Sequence, residues 1–401
     1  MVSPRFEREA VKQQPSKRAR LERLDAVRPQ QAVDGSGPSD DGAGSPQSPP
    51  WREDDEKGHY VFVVGEHIAR RYRIIRKMGE GTFGRVLECW DRKNRETVAI
   101  KVVRSMRKYR HAAKYEIEVL QRLAENDRGG RLCLQMKKWF DYRNHICIVC
   151  EKLGPSLFDF IRTNKYRPLP VDLVREFGHQ LLESVAYMHD LHLIHTDLKP
   201  ENILLVSSRT VEVQRRKRSS TGENYIQRLP KSSAIKLIDF GNTVSESQVN
   251  SGIVSTRHYR APEVILGLGW TYPCDIWSVG CIIVELCTGE ALFQTHENLE
   301  HLAMMERVLG AFPVHMIQKV NEDAKKYVRR TRLNWPEGAV SRESIRAVNE
   351  LGRLEAIVSR HVDHSRADLI DLLYGLLEFE PSQRFTAHDA LKHPFFGRNA
   401  I

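Results

Sequence analysis

The chain has 401 residues, 41% of them hydrophobic, and a formal net charge of +10. That length suggests two or three domain-sized units with enough apolar content for a large core. No apolar run reaches the roughly eighteen residues a membrane helix needs, and Met1 to Ala10 lacks the apolar stretch of a secretory signal, so neither is expected.

Residues 1–58 are rich in Pro, Ser, Gly, Gln and charge and poor in aromatics. Such a segment cannot bury enough surface to offset its ordering entropy, so a disordered tail is expected there. Within it, Lys17-Arg18-Ala19-Arg20 is a small basic cluster, either a nuclear address or one of many short basic runs without a role. The tail holds 10 Lys and Arg against 11 Asp and Glu, which leaves about +11 on the remainder. A basic surface attracts nucleic acid, phosphoprotein or nucleotide, or is simply a solvated face. No RNA-binding motif or aromatic-rich basic patch accompanies it, so direct nucleic-acid binding is not expected.

Order is expected from about Tyr60, in a domain spanning 59–396. Alternation of apolar and polar residues predicts strands over Tyr72 to Gly79, Gly84 to Trp90 and Thr97 to Val103. Ile117, Leu120 and Leu123 give Ala112 to Leu123 a helical spacing. Two more strands are predicted over Lys137 to Phe140 and His145 to Glu151. The last contains Cys147 and Cys150, which face opposite sides of a strand and cannot grip one ion. Seven cysteines at irregular spacing fit a reducing compartment rather than a disulfide framework. From Ser156 the periodicity is mainly helical, in Asp172 to His189, Pro273 to Gly289 and beyond Leu299. The result is an α+β chain with a small sheet-rich lobe, about 60–153, and a larger helical lobe, about 154–396. One insertion, 207–233, lies between the predicted strands Asn202 to Val206 and Ala234 to Ile238. It has no clear core face, carries Arg215 to Arg218, and reads as a surface hairpin that docks acidic or phosphorylated partners or is merely solvated.

The chemistry is concentrated in a few strings. Gly79-Glu80-Gly81-Thr82-Phe83-Gly84-Arg85-Val86 fits a phosphate-cradling turn, because glycines let the backbone approach phosphate oxygens. A strand rather than a helix follows it, which favours a lid over ATP to a dinucleotide fold. Val98-Ala99-Ile100-Lys101 places a lysine to reach the nucleotide phosphates. Glu116 is its expected ion-pair partner, ahead of Glu118 and Glu125, because it lies one turn before Leu120 on the inward stripe. His195-Thr196-Asp197-Leu198-Lys199-Pro200-Glu201-Asn202 supplies a carboxylate base in Asp197 and a charge-offsetting lysine in Lys199. Asn202 and Asp239, of Asp239-Phe240-Gly241, are positioned to hold Mg2+ against the phosphates. Ala261-Pro262-Glu263 closes the segment begun at Asp239, and Arg384 is the expected buried partner of Glu263.

With these parts in order, residues 72–396 resemble a eukaryotic protein kinase, which implies its two-lobed fold and the cofactors ATP and Mg2+. Glu300-His301-Leu302-Ala303-Met304-Met305-Glu306-Arg307-Val308-Leu309-Gly310 is similar to the motif that names the LAMMER, or Cdc2-like, branch. Thr196 in place of an arginine and the insertion before Asp239 also resemble that branch, and Gly267-Leu268-Gly269-Trp270 and Arg332-Leu333-Asn334-Trp335-Pro336 are more similar to its plant members. The resemblance implies a nuclear, dual-specificity enzyme acting on Arg/Ser-rich splicing factors, and a monomer is expected. It places Glu151 and Leu153 at the adenine, with Met78 and Ala99 in the nucleotide site. Without the arginine at 196, activity should depend less on a phosphorylated activation segment. Cys150, smaller than the residue usual there, is expected to open a back pocket to thiol-reactive ligands. Asp159 and Glu201 are candidate contacts for substrate arginines. The alternative is a kinase-shaped scaffold that recruits splicing components through its basic insertion.

Overall fold

The small lobe is built on a six-stranded sheet in which every pairing is antiparallel. In this computed structural model, which describes residues 51–127, 129–216, 224–249, 252–362 and 366–397, the strands are β1 (His67–Ile68), β2 (Tyr72–Glu80), β3 (Gly84–Asp91), β4 (Glu96–Val103), β5 (Met136–Tyr142) and β6 (His145–Glu151). The spatial order is β1-β2-β3-β4-β6-β5. Helix α1 (Arg107–Asn126) crosses between β4 and β5. Of the tail expected over 1–58, residues 1–50, with Lys17 to Arg20, lie outside the described residues.

Register separates the two faces of this sheet. Leu87 opposes Ile100, and Ile100 opposes Val149, so these three form an outer core with Tyr72, Ile74 and Cys147. The alternate residues face the other way: Val86 opposes Lys101, and Ala99 opposes Cys150. Cys147 and Cys150 therefore belong to different cores, as their spacing requires. All seven cysteines are unbridged and buried.

The helical lobe follows, with α2 (Leu157–Thr163) and α3 (Val171–Asp190) leading to β7 (Leu193–Ile194) and β8 (Ile203–Leu205). Next come β9 (Thr210–Arg216) and β10 (Asn224–Pro230), then β11 (Ile235–Leu237) and β12 (Val244–Ser245). β8 pairs with β11 and β7 with β12, so short ladders carry the residues between them. α4 (Pro262–Leu266) and α5 (Pro273–Thr288) follow; α5 is buried nearly all round, from Cys274 to Cys287, and is the axis of the lobe. α6 (Asn298–Leu309) holds Glu300 to Leu309 of the Glu300 to Gly310 string, with Gly310 as its cap, and packs Leu302, Met305 and Val308 inward. No described helix is long and apolar enough to cross a membrane.

Two expectations need adjusting and a third holds. α1 begins five residues before the expected start, because its first turn, Arg107 to Arg110, lacks a strong apolar signal. The boundary of the tail moves too: Arg52 pairs with Glu66 through two bonds of 2.6 and 2.7 Å, and Asp54 bonds the buried His145 at 2.8 Å. Residues 52–58 are thus part of the small lobe, because its strands supply partners for their charges. The insertion is a hairpin, with Thr210 opposite Pro230 and Arg216 opposite Asn224; Lys217 and Arg218 of its basic run lie outside the described residues.

The hairpin is anchored by two side-chain amides. Asn164, buried at the end of α2, donates Nδ2–H to the Arg228 carbonyl and accepts the Arg228 amide on Oδ1, both at 2.9 Å. Gln227, also buried, donates to the Pro168 carbonyl at 2.9 Å. Asn164→Ala leaves both Arg228 groups without those partners. Hydrogen exchange over 224–230 should accelerate, with a stability loss of about 1–3 kcal/mol; unchanged protection would show that the hairpin is held elsewhere.

Candidate active site

The site lies where the inner face of the sheet meets the β7–β12 region. Lys101, on the inward register of β4, donates to both Glu116 carboxylate oxygens at 2.6 and 2.9 Å and to Asp239 at 3.2 Å. Glu118 and Glu125 make no such contact; Glu116 is on the buried stripe of α1 with Ala113, Ile117 and Leu120. Burial alone would push the Lys101 ammonium toward neutrality, but Glu116 and Asp239 outweigh it and hold the group charged, above the ordinary lysine value. Lys101 in turn holds the Asp239 carboxyl below the usual carboxylate range. Asp239 sits at φ 64°, ψ 70°, in the left-handed region. That strain persists because the surrounding structure fixes it.

The loop from His195 to Asn202 is shaped by Asp275 at the start of α5. Its carboxylate accepts the amides of His195 and Thr196 at 2.8 and 2.9 Å. Thr196 has φ +65°, a costly value for a β-branched residue, and those bonds hold it there. Its hydroxyl donates to the Asn242 carbonyl at 2.8 Å, tying this loop to the segment after Asp239. Asp197 accepts the Lys199 ammonium on Oδ2 at 2.7 Å. On Oδ1 it accepts the Thr256 amide at 3.1 Å and hydroxyl at 2.6 Å. Lys199 also donates to the Thr256 hydroxyl at 3.1 Å. Asn202 donates its side-chain N–H to the Asp197 carbonyl at 2.9 Å, which leaves its amide oxygen as the donor atom for a cation. Asn202 and Asp239 together offer hard oxygen donors, the kind a small divalent ion takes alongside nucleotide phosphates.

The glycine-rich turn joins β2 to β3, closed by the Gly81 amide on the Gly84 carbonyl at 3.0 Å. A side chain at Gly84 would meet the Val102 carbonyl oxygen at 2.2 Å, so glycine lets β3 lie against β4. At Gly79 and Gly81 nothing stands within 4 Å of where a Cβ would be, which leaves open space for phosphates. Glu80 and Arg85 bond each other at 2.9 Å across the base of the turn. The Thr82 carbonyl accepts Arg104, and the Phe83 ring stands edge-on to Tyr109 at 6.1 Å. Met78, Val86 and Ala99 are half-buried. Glu151 ends β6 with its amide on the Gln135 carbonyl at 3.1 Å, and Leu153 is buried two residues on.

Two expected features differ. Cys150 is 6% exposed, and burial pushes its thiol up to about 12. The thiolate is the reactive form, so an accessible nucleophile is not what this position provides. Maleimide at neutral pH should label Cys150 in denaturant and leave it intact in the native protein, read by peptide mass; rapid native labelling would contradict the burial. Asp159 is occupied locally: it accepts the Ser156 hydroxyl at 2.8 Å and Arg162 at 2.7 Å, within the first turns of α2. Glu201 is half-buried in the turn Pro200–Asn202. Sequence reasoning assigned no role to Thr256 or Asp275. Their signal was a polar side chain at a fixed place after Asp239 and after Glu263.

A two-lobed fold with this lysine, base, amide and second carboxylate drawn together defines a protein kinase. The protein kinase domain family matches residues 72–396. A solved kinase-domain crystal structure aligns with a TM-score of 0.79 at 38% identity, covering 85% of this chain and 100% of that one. Serine/threonine-protein kinase AFC2 of Arabidopsis thaliana is 65% identical over 352 residues, 88% of this chain and 82% of that protein. Dual specificity protein kinase CLK2 of Homo sapiens is 45% identical over 355 residues, 86% of this chain and 68% of that protein. The chain belongs to the protein kinase family, in its LAMMER branch and among the plant members. It is a dual-specificity protein kinase that uses ATP with a divalent metal ion.

Proposed function

We propose that this kinase transfers the γ-phosphoryl group of ATP to hydroxyls of Arg/Ser-rich splicing factors, and so regulates pre-mRNA splicing. The observation that carries the reading is the Glu300 to Gly310 string on α6, the hallmark of the LAMMER branch, in a chain whose phosphoryl-transfer residues are drawn together. Asp197 accepts the proton of the attacking hydroxyl, and Lys199, 2.7 Å away, offsets charge on the moving phosphoryl group. Lys101 orients the nucleotide phosphates, with Glu116 fixing its rotamer. The Glu151 and Leu153 backbone meets the adenine, and the open space at Gly79 and Gly81 accommodates the phosphates. Asn202 and Asp239 hold the divalent ion, proposed to be Mg2+, which when bound neutralises phosphate charge. Glu201 contacts substrate arginine; Asp159 is left out of this role.

Activity without a phosphorylated activation segment is part of the proposal. Arg260 donates to the carbonyls of Val254 and Ser255 at 2.9 and 2.8 Å, so the segment is held by its own side chain. Thr196 replaces a phosphate-reading arginine with a hydroxyl tether. The enzyme is proposed to act as a nuclear monomer, the basic cluster Lys17 to Arg20 serving as address. The scaffold alternative loses ground because Lys101, Asp197, Asn202 and Asp239 are all present. The substrate test pits an Arg-Ser repeat peptide against the same peptide with lysine for arginine. A kcat/KM about tenfold or more higher for the arginine peptide is expected, the scale of one charge-assisted recognition contact. Equal rates would remove the Arg/Ser assignment and leave the kinase.

A further inference from the structure

The family match begins at residue 72, yet the preceding residues reach the nucleotide turn. Asp55 accepts the amides of Lys57 and His59 on Oδ1 at 3.0 and 2.9 Å, which folds the segment into a tight turn. Its Oδ2 accepts Arg85 Nη2 at 2.8 Å, at the base of the glycine-rich turn. Arg85 also donates to the Tyr60 carbonyl at 2.9 Å. The tip of the turn is held through Arg104. Its amide donates to the Phe83 carbonyl at 3.0 Å, and its guanidinium to the carbonyls of Thr82 and Lys57 at 3.2 and 2.5 Å. The same guanidinium donates to the Tyr109 hydroxyl at 2.8 Å and lies 4.3 Å from that ring, on the first turn of α1. Asp54 fixes the segment to β6 through His145 and to the β4–α1 link through Ser105, and the Ser105 amide donates to the Gly58 carbonyl at 3.0 Å.

We propose that residues 54–60 form a strap that sets the position of the phosphate-facing turn, with Asp55 and Arg104 as positioning residues for ATP. The turn's glycines give it freedom to leave the phosphates. The strap holds Arg85 at the start of β3, and through the Lys57 carbonyl it holds Arg104, which bonds Thr82 and Phe83 at the tip of the turn and Tyr109 on the helix that carries Glu116. Neither residue touches the hydroxyl substrate or the Asp197 loop, so the effect falls on nucleotide affinity rather than on the chemical step.

Asp55→Asn in the full chain is the primary test. Asn keeps an oxygen for the Lys57 and His59 amides but turns an N–H toward Arg85. The ATP KM, and the Kd from direct nucleotide titration, are expected to rise about threefold to tenfold with kcat within about twofold. Amide exchange over residues 79–86 should quicken while exchange in α5 does not. Arg104→Met, which removes the other attachment, should do the same. Unchanged ATP affinity in both variants would overturn the proposal, as would kcat falling in step with melting temperature while KM stays fixed, the mark of a merely structural segment.

Discussion

Asp197→Asn is expected to lower kcat by about 10²- to 10⁴-fold, the range carried by a positioned general base, with KM for ATP little changed. The reason lies in how the carboxylate is held. Its backbone position is set by other residues: Asp275 takes the amides of His195 and Thr196, and Asn202 caps the Asp197 carbonyl. Those bonds survive the substitution, so the loop should keep its shape. What changes is the atom facing Lys199. An amide offers one oxygen instead of two, cannot take up the hydroxyl's proton, and must share its single acceptor between Lys199 and Thr256. Steady-state phosphoryl transfer alongside a melting curve separates the outcomes. A large kcat loss in a protein that melts normally assigns Asp197 to the chemistry. Full activity would remove it.

The second large effect is on stability. Glu263, at the start of α4, and Arg384 form a two-bond pair of 2.8 and 2.9 Å with side chains 1% and 0% exposed. Arg384 also donates to the carbonyls of Pro273, Glu378 and Phe379 and lies 5.2 Å from the Trp277 ring. It thereby joins the end of the activation segment, the start of α5 and the chain after α10 (Arg366–Leu376), the helix packed on α5 that follows α7 (Val314–Gln318), β13 (Val328–Arg329), β14 (Arg332–Leu333), α8 (Arg342–Glu350) and α9 (Leu354–Ser359). Glu263→Gln leaves a guanidinium charge in the core with no counter-ion. Breaking one side of a buried pair costs about 3–5 kcal/mol, and for a domain of this size the melting temperature should fall by about 5–10 °C. Denaturant melts of wild type and variant provide the check. A loss below about 1 kcal/mol, the range of exposed pairs, would show that water reaches Arg384 and shields it.

Where a pattern is local, the sequence was a sufficient guide. Helical spacing picked Glu116 from three acids because the inward stripe of α1 is set by a 3.6-residue period. Strand parity separated Cys147 from Cys150. The pairing of Glu263 with Arg384, 121 residues apart, was reached through motif order rather than through geometry. Most of the misses have one physical cause, that burial and partner choice are tertiary. Residues 52–58 read as tail because their composition is charged, and nothing in that window reveals that Glu66, Arg85 and His145 will meet them. Cys150 read as an accessible thiol because side-chain size was visible and the depth of β6 was not. Asp159 was open between a substrate contact and local structure, and the local bond to Ser156, three residues before it, is a helix cap. Thr256 had no evident role until folding brought it to Asp197.

The most direct test of the central claim is radiolabelled transfer from Mg-ATP to an Arg-Ser repeat peptide by protein first stripped with phosphatase, beside Asp197→Asn treated identically. The account predicts immediate transfer by the stripped wild type, at about 1–100 per second as in kinases generally, and near-total loss in the variant. A lag that ends only on prior phosphorylation would contradict the self-held activation segment. Equal transfer by both proteins, or none by either, would contradict the catalytic site itself.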